Sequence, residues 1–219
     1  MSIRKGLENF LSTDIYGLTA EEFSLGRSNI EVVEEMIAAG IKVIQYREKE
    51  KKAIYMYNEC LKIREKTAQA GVTFIINDHI DLAIAIEADG VHIGQEDLPP
   101  VKVRQLIGDS MILGLSTHSP SEALAAVKSG VVDYIGVGPI FATNTKKDVC
   151  DPVGLEYLDF VANNIELPFV AIGGIKEHNV AEVQKHGAKI VAIVTDIVAA
   201  DNISEKVSDI RKAMDKNGM

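Results

Sequence analysis

Eight short apolar stretches recur along this chain, and each one ends at a polar or glycine-rich segment. The intervening segments carry apolar residues at helical spacing, so the pattern alternates between buried strand and amphipathic helix. Strands that are separated by helices pair in parallel through right-handed crossovers, and eight of them predict a closed (β/α)8 TIM barrel. The predicted strands are residues 15–18, 41–47, 73–77, 90–93, 111–115, 134–137, 169–172 and 190–194.

Helix boundaries are marked by capping residues and glycines. Ser28 and Glu31 have the spacing of a capping box, as do Ser119 and Glu122. Glycines stop several of the helical stretches, as expected for residues that adopt a left-handed conformation. The predicted helices are 28–40, 53–70, 80–87, 99–108, 119–130, 155–163, 176–186 and a final amphipathic helix through Ile203, Val207 and Ile210.

An open, doubly wound sheet is the rival α/β architecture. That class usually has a glycine-rich turn after its first strand, whereas this chain has residues 19–22, Thr-Ala-Glu-Glu. A length of 219 residues with 47% hydrophobic content suits one barrel. The sequence therefore predicts a single barrel domain over residues 1–219.

Charge and cysteine content limit the possible partners and compartment. A net charge of −9 argues against binding to nucleic acid, which requires clustered Lys and Arg. No apolar run approaches the roughly 18 residues of a membrane span. The two cysteines, Cys60 and Cys150, do not have the spacing of metal ligands. We therefore expect both to be free thiols in a reducing compartment. We therefore expect a cytoplasmic protein that binds small molecules. The sequence does not decide whether it forms a homo-oligomer.

Acidic residues follow two neighbouring predicted strands. Asn77 and Asp78 close the third strand, and Asp97 follows the fourth. Residues just past the carboxyl ends of barrel strands converge on one face, so these acids can share one metal ion. Mg²⁺ prefers oxygen ligands and retains water, which fits this set. The alternative is that Asp78 and Asp97 only cap the helices that follow them.

Basic and hydroxyl side chains lie at other strand ends. Gln45, Arg47 and Lys49 alternate, so a period of two sends them to the same side, where they suit a polyanion. The loop after the sixth strand could grip phosphate oxygens or could simply be solvated; it contains Thr143, Asn144, Thr145, Lys146, Lys147 and Asp148.

The remaining strand ends offer small or hydroxyl-bearing residues. Ser116 could contact a ligand, and His118 could be an acid or base, although a lone histidine is more often structural. Gly173-Gly174 and Val194-Thr195 follow strands seven and eight, where barrels commonly bind phosphate through backbone N–H groups. Glycine permits close approach of an anion, but it also suits an ordinary strand-to-helix turn.

Taken together, these segments resemble the thiamine-phosphate synthase family. The resemblance covers roughly residues 14–198, in order and with similar spacing. The segments that carry it are Gln45-Tyr46-Arg47-Glu48-Lys49, Asn77-Asp78, residues 90–97 (GVHIGQED), 114–118 (GLSTH), 136–141 (GVGPIF), 143–146 (TNTK) and 171–175 (AIGGI).

The resemblance implies a reaction and a set of roles. Members of the family join a hydroxymethylpyrimidine pyrophosphate to a thiazole phosphate and release pyrophosphate with the help of Mg²⁺. By this resemblance, Asp78 and Asp97 bind Mg²⁺, and Arg47, Lys49, Ser116 and Lys146 are catalytic. The pyrimidine substrate is held by Gln45, Tyr46, Arg47, Glu48, Lys49, Asn77, Ser116 and Lys146, and the thiazole phosphate by Thr143, Asn144, Thr145, Gly174, Val194 and Thr195.

Two departures from the family pattern are visible. Thr195 stands where the family usually has serine, and residues 17–22 differ from the usual end of the first strand. Two rival functions share the same barrel: a thiazole tautomerase, and a non-catalytic regulator that binds thiamine phosphate. Retention of Arg47, Lys49, Asp78 and the other charged residues speaks against the tautomerase.

Overall fold

A closed barrel of eight parallel strands forms the centre of the molecule. The computed structural model describes residue 4, residues 6–143 and residues 151–215, except for the side chain of residue 215. Neighbouring strands pair in sequence order, and β8 returns to pair with β1, which confirms the predicted barrel. The strands are β1 (Ile15–Leu18), β2 (Val43–Tyr46), β3 (Thr73–Asn77), β4 (Gly90–Ile93), β5 (Ile112–Thr117), β6 (Tyr134–Val137), β7 (Phe169–Ile172) and β8 (Val191–Ala192).

Helices that follow the strands cover the outside of the barrel, and one further helix precedes the first strand. Within the described ranges, no helix is long and apolar enough to cross a bilayer. The helices are α1 (Leu7–Ser12), α2 (Asn29–Ala38), α3 (Ala53–Ala70), α4 (Ile80–Ala85), α5 (Pro100–Ile107), α6 (Pro120–Ser129), α7 (Gly154–Asn164), α8 (Val180–Lys185), α9 (Thr195–Val198) and α10 (Ile203–Asp215).

Only one of the two predicted capping boxes is complete. At α2, the Ser28 side chain accepts from the Glu31 N–H, and the Glu31 carboxylate accepts from the Ser28 N–H. At α6, Ser119 Oγ accepts from the Glu122 N–H at 3.3 Å. The Glu122 carboxylate, however, accepts from the His118 N–H at 2.7 Å, so the second box is only half formed.

Apolar side chains form one core inside the barrel and another between barrel and helices. The inner core fills the barrel with side chains, as is usual for this fold. The outer core buries the apolar faces of α2, α3, α7 and α10 against the strands. The inner core consists of Phe10, Tyr16, Leu18, Val43, Ile75, Ile112, Tyr134, Val170, Ile190 and Ala192.

Helix α1, which the sequence pattern does not predict, closes the amino-terminal end of the barrel. Its Phe10 side chain is fully buried, and the ring centroid lies 4.3 Å from that of Tyr134. Asn9 Nδ2 donates to the Gly71 carbonyl at 2.6 Å and so ties α1 to the turn before β3. The helix therefore acts as a plug beneath the inner core.

We predict that Phe10→Ala lowers the free energy of unfolding by about 3 to 5 kcal/mol, because it leaves a cavity in a packed core. Leu11→Ala is the matched control on the same helix: its side chain is 58% exposed, and we expect a change below about 0.5 kcal/mol. Urea unfolding of both variants measures the difference. Equal effects would show that α1 does not plug the barrel.

Buried carboxylates brace the amino-terminal ends of the strands. Asp89 accepts from the Phe74 N–H at 2.9 Å and pairs with both terminal nitrogens of Arg64. Asp133 likewise accepts from the Leu113 N–H at 2.8 Å and pairs with Arg104 at 2.7 Å. Each of these carboxylates links two strands to a helix, so we assign them to stability.

Candidate functional site

A cleft of about 960 Å³ opens at the carboxyl-terminal end of the barrel. Its walls come from the segments that follow the strands, as the sequence predicts for a barrel mouth. Residues as far apart in sequence as Tyr16 and Thr195 thereby share one site. The predicted site residues that line it are Gln45, Arg47, Lys49, Asn77, Asp78, Asp97, Ser116, His118, Thr143, Gly174, Val194 and Thr195.

Tyr46 and Glu48, grouped with substrate-binding residues by resemblance, do not line the cleft. Successive strand residues face opposite sides, so Gln45 points into the barrel and Tyr46 toward the helices. The Tyr46 side chain is 1% exposed, and its hydroxyl donates to Glu59 on α3 at 2.6 Å. Glu48 accepts from Asn29 Nδ2 on α2 at 2.7 Å. The structure thus corrects the placement of both side chains.

Three further predicted residues, Asn144, Thr145 and Lys146, lie outside the described residues, as does Cys150. Thr143 is described immediately before them, and it lines the cleft. The other cysteine, Cys60, is a buried free thiol, as predicted. Burial raises the pKa of the Cys60 thiol, so it stays protonated and unreactive at neutral pH.

Two cations form a basic wall at the end of β2. The Arg47 N–H donates to Thr19 Oγ1 at 2.9 Å, so the segment that departs from the family pattern supports this wall. Lys51 nearby is neutralised by Glu59 at 2.9 Å. Among the described residues, by contrast, neither Arg47 nor Lys49 forms an ion pair. Their charges therefore remain available to an anionic ligand.

Asp78 occupies an unusual backbone position directly after β3, the strand that pairs with β2. Its φ of 61° is in the left-handed region, which aspartate and asparagine tolerate better than most residues. The Asp78 N–H donates to the His92 carbonyl at 2.9 Å, which anchors the turn after β3. Helix α4 has His79 as its N-cap residue, without a side-chain cap. Asp78 therefore is not the cap of α4, and its side chain lines the cleft.

Asp97 closes the turn after β4. Its Oδ2 accepts from the Gly94 N–H at 2.7 Å, whereas the N-cap of α5 is Pro99. Helix capping, the alternative for both acids, is therefore not observed. The described residues contain no group of three or more His, Cys, Asp or Glu side chains suited to hold a metal. Two carboxylates at an open cleft nevertheless fit Mg²⁺, which takes oxygen ligands and completes its shell with water and substrate phosphates.

A hydrogen-bonded relay of side chains, not predicted from the sequence, forms the floor of the cleft. Gln45 Nε2 donates to Tyr16 Oη at 3.0 Å, and Tyr16 Oη lies 2.8 Å from Tyr134 Oη. His92 joins Tyr134 Oη through Nδ1 and Ser116 Oγ through Nε2, at 2.9 Å each. Burial raises the pKa of both tyrosines, so their hydroxyls stay neutral.

The side chain of His118 is oriented by the backbone. Its Nδ1 lies 2.5 Å from the Gly138 carbonyl oxygen. A carbonyl only accepts, so Nδ1 carries a hydrogen. The ring thus lines the cleft in a fixed orientation, which fits the structural role that a lone histidine more often has.

The two glycines after β7 are required by the backbone and by packing. Gly173 and Gly174 have φ values of 100° and 64°. A Cβ on Gly174 would lie 2.7 Å from the Phe141 Cβ, in the segment after β6. A valine there would displace that segment as well as block an anion. Gly174→Val is therefore a poor probe of phosphate binding alone.

Helix α9 begins beside these glycines. The first N–H groups of a helix have no intrahelical partner, and α9 starts at Thr195, directly after β8. This is where barrel enzymes commonly seat a phosphate, in the loops after strands seven and eight. Lys176, which the sequence analysis does not single out, is exposed and also lines this corner. Its position two residues after Gly174 is the signal that could have revealed it.

The fold and this cleft define a (β/α)8-barrel enzyme with its site at the carboxyl ends of the strands. A family model described as thiamine monophosphate synthase matches residues 15–197. The thiamine-phosphate synthase of Pelotomaculum thermopropionicum is 70% identical over 208 residues, 95% of each chain. That of Lawsonia intracellularis is 52% identical and covers 93% of this chain and 94% of its own.

A solved structure agrees with these matches. Thiamine phosphate pyrophosphorylase from Pyrococcus furiosus superposes with a TM-score of 0.84 at 31% identity, covering 93% of this chain and 96% of its own. The chain therefore belongs to the thiamine monophosphate synthase family.

Proposed function

We propose that this chain joins 4-amino-2-methyl-5-hydroxymethylpyrimidine pyrophosphate to 4-methyl-5-(2-hydroxyethyl)thiazole phosphate, and so acts as a transferase in thiamine biosynthesis. The carboxylated form of the thiazole phosphate is the alternative acceptor. The observation that carries the proposal is the pairing, in one cleft, of two cations that form no ion pair within the described part of the chain with two carboxylates. The names of the relatives supply the reaction.

Charge development explains how such a cleft performs the transfer. The bond between the pyrimidine methylene carbon and the pyrophosphate oxygen breaks, and its electron pair leaves with the pyrophosphate. Arg47 and Lys49 stabilise the negative charge that grows on the leaving group. The aminopyrimidine ring stabilises the resulting cation, and the thiazole nitrogen donates its lone pair to form the new C–N bond. Substitution of this dissociative kind requires no enzyme nucleophile.

Asp78 and Asp97 would hold Mg²⁺ beside the basic wall. When bound, the metal would supply additional positive charge to the pyrophosphate oxygens. Lys146 is proposed to reinforce this charge by resemblance alone, since it lies outside the described residues. Asn77 and Ser116 would position the pyrimidine pyrophosphate, and the shape of the cleft would bring both substrates together.

The corner formed by Gly174, Val194 and Thr195 is proposed to bind the thiazole phosphate. We predict that Thr195→Val, which removes only a hydroxyl donor, raises KM for the thiazole phosphate about tenfold and leaves KM for the pyrimidine pyrophosphate unchanged. Thr195→Ser keeps the hydroxyl and should be silent. Steady-state kinetics with each substrate varied in turn provide the test, and equal changes in both KM values would refute a dedicated phosphate site.

The two rival functions are not favoured. A tautomerase binds no pyrophosphate and so does not need cations to stabilise one, yet Arg47 and Lys49 both line the cleft. A regulator would bind thiamine phosphate without turnover, whereas the relatives are named as synthases. We further propose that the protein works in the cytoplasm.

Growth of a bacterial strain that lacks its own thiamine-phosphate synthase tests the proposal in cells. Expression of this chain should restore growth without thiamine, and a variant carrying both Asp78→Asn and Asp97→Asn should not. Failure of the unmodified chain to restore growth, in a strain that the Pelotomaculum relative does rescue, would overturn the proposal.

A further inference from the structure

The relay of Gln45, Tyr16, Tyr134, His92 and Ser116 has a preferred direction. The Gln45 amide nitrogen can only donate, so Tyr16 Oη accepts from it. The Tyr16 hydroxyl has one hydrogen, and the second hydrogen-bond partner of this hydroxyl is Tyr134 Oη. Tyr16 therefore donates to Tyr134. The same reasoning makes Tyr134 donate to His92 Nδ1, which lies 2.9 Å away.

This direction determines which nitrogen of His92 carries hydrogen. A neutral imidazole has one donor and one acceptor nitrogen. If Nδ1 accepts from Tyr134, Nε2 carries the hydrogen and donates to Ser116 Oγ at 2.9 Å. Ser116 then accepts from the ring, and its own hydrogen is left for a partner in the cleft, which the side chain lines.

We propose that the relay makes the Ser116 hydroxyl a hydrogen-bond donor to the pyrimidine pyrophosphate, and that Tyr134 and His92 are positioning residues that act through Ser116. This inference rests on the proposed function, because that function supplies the ligand. A donor aimed at the leaving group stabilises the charge that develops there, whereas a hydroxyl pointing its lone pairs outward would repel that charge.

Packing holds the relay in place. Gln45, Tyr16 and Tyr134 are each at most 3% exposed, so bulk water does not compete for their hydrogen bonds. A Cβ on residue 114 would collide with both the Tyr134 ring and the His92 ring, so Gly114 on β5 makes room for them. Phe10 supports the Tyr134 ring from below. Each of these features restricts the rings to the positions in which the relay forms.

Nitrogen-15 NMR of the ligand-free protein tests the direction of the relay without any need for turnover. The chain has five histidines, and the spectrum of His92→Gln identifies the His92 signals by their loss. At about pH 8, where imidazole is neutral, we expect the hydrogen on Nε2. We expect Tyr134→Phe to remove this preference. Hydrogen on Nδ1 in the unmodified protein would overturn the proposal.

Kinetics test whether Tyr134 acts through Ser116. We expect Tyr134→Phe to lower kcat roughly tenfold, with little change in KM. In the Ser116→Ala background, the same substitution should cause no further loss, since the hydroxyl that it positions is gone. Independent losses that multiply would overturn the proposal, since they would show that Tyr134 acts by another route. Tyr16→Phe breaks the relay one step earlier and should repeat the result if Tyr134→Phe folds poorly.

Tyr157→Phe is the matched control, because it also removes a buried tyrosine hydroxyl. Tyr157 on α7 donates to Thr117 Oγ1 at 2.7 Å and lies outside the relay. We expect the kcat of the Tyr157→Phe variant to equal that of the unmodified protein. If Tyr157→Phe lowered kcat as much as Tyr134→Phe does, the effect of Tyr134→Phe would come from a general loss of core packing. Absence of thiamine phosphate with the unmodified protein would instead refute the proposed function and leave the NMR result standing.

Discussion

Asp78→Asn and Asp97→Asn should each lower kcat by about a thousandfold, which corresponds to roughly 4 kcal/mol of lost transition-state stabilisation. The reason is that each substitution replaces a charged oxygen ligand by a neutral amide at the proposed Mg²⁺ site. Steady-state assays across a range of Mg²⁺ concentrations measure the effect. The metal requirement should rise in both variants.

Asparagine is the informative replacement because it preserves the local structure. It tolerates the left-handed backbone of residue 78, and at residue 97 it keeps an oxygen that can accept from the Gly94 N–H. Asp109→Asn, an exposed acid in the turn after α5, is the control and should be silent. Near-normal kcat and unchanged metal dependence in both site variants would remove these acids from the metal site.

Arg47→Ala should lower kcat by about a hundredfold, because loss of one positioned charge removes about 3 kcal/mol of transition-state stabilisation. Because Arg47 has no ion-pair partner among the described residues, the melting temperature should change little. Lys62→Ala, on the exposed face of α3, is a control that loses the same charge outside the cleft. An unchanged kcat for Arg47→Ala would show that the basic wall is only a solvated strand end.

The strand and helix pattern in the sequence predicts most of the barrel, because its elements are bounded by strong local signals. The predicted limits 73–77, 90–93, 134–137 and 169–172 coincide with β3, β4, β6 and β7. Agreement is poorer where side chains override the pattern. Asn179 Oδ1 accepts from the Lys176 N–H at 2.7 Å, so residues 176–179 form a turn and α8 begins later than predicted.

Helix α1 and the relay were not predicted because tertiary contacts create them. Six residues are too few for a helix that is stable alone, and α1 is held by the burial of Phe10. The relay residues are polar side chains within apolar strands, so in the sequence each one only interrupts the apolar pattern of its strand. The contacts among Tyr16, His92 and Tyr134 form only when closure of the barrel brings their strands together, so the sequence pattern does not predict them.

The period of two in β2 explains the mixed outcome at the site. It correctly predicts that Gln45, Arg47 and Lys49 reach the same side. The same rule sends Tyr46 and Glu48 the other way, yet the resemblance carried all five residues over as one group. Alternation within a strand is therefore the better guide to which side chains contact a ligand.

A mass balance on the purified chain tests the central claim most directly. With both substrates and Mg²⁺ present, the account predicts one pyrophosphate released for each thiamine phosphate formed, and no thiamine phosphate when either substrate is omitted. Two results would contradict it: conversion of a thiazole phosphate isomer without any C–N bond formation, or tight binding of thiamine phosphate without turnover of the two substrates.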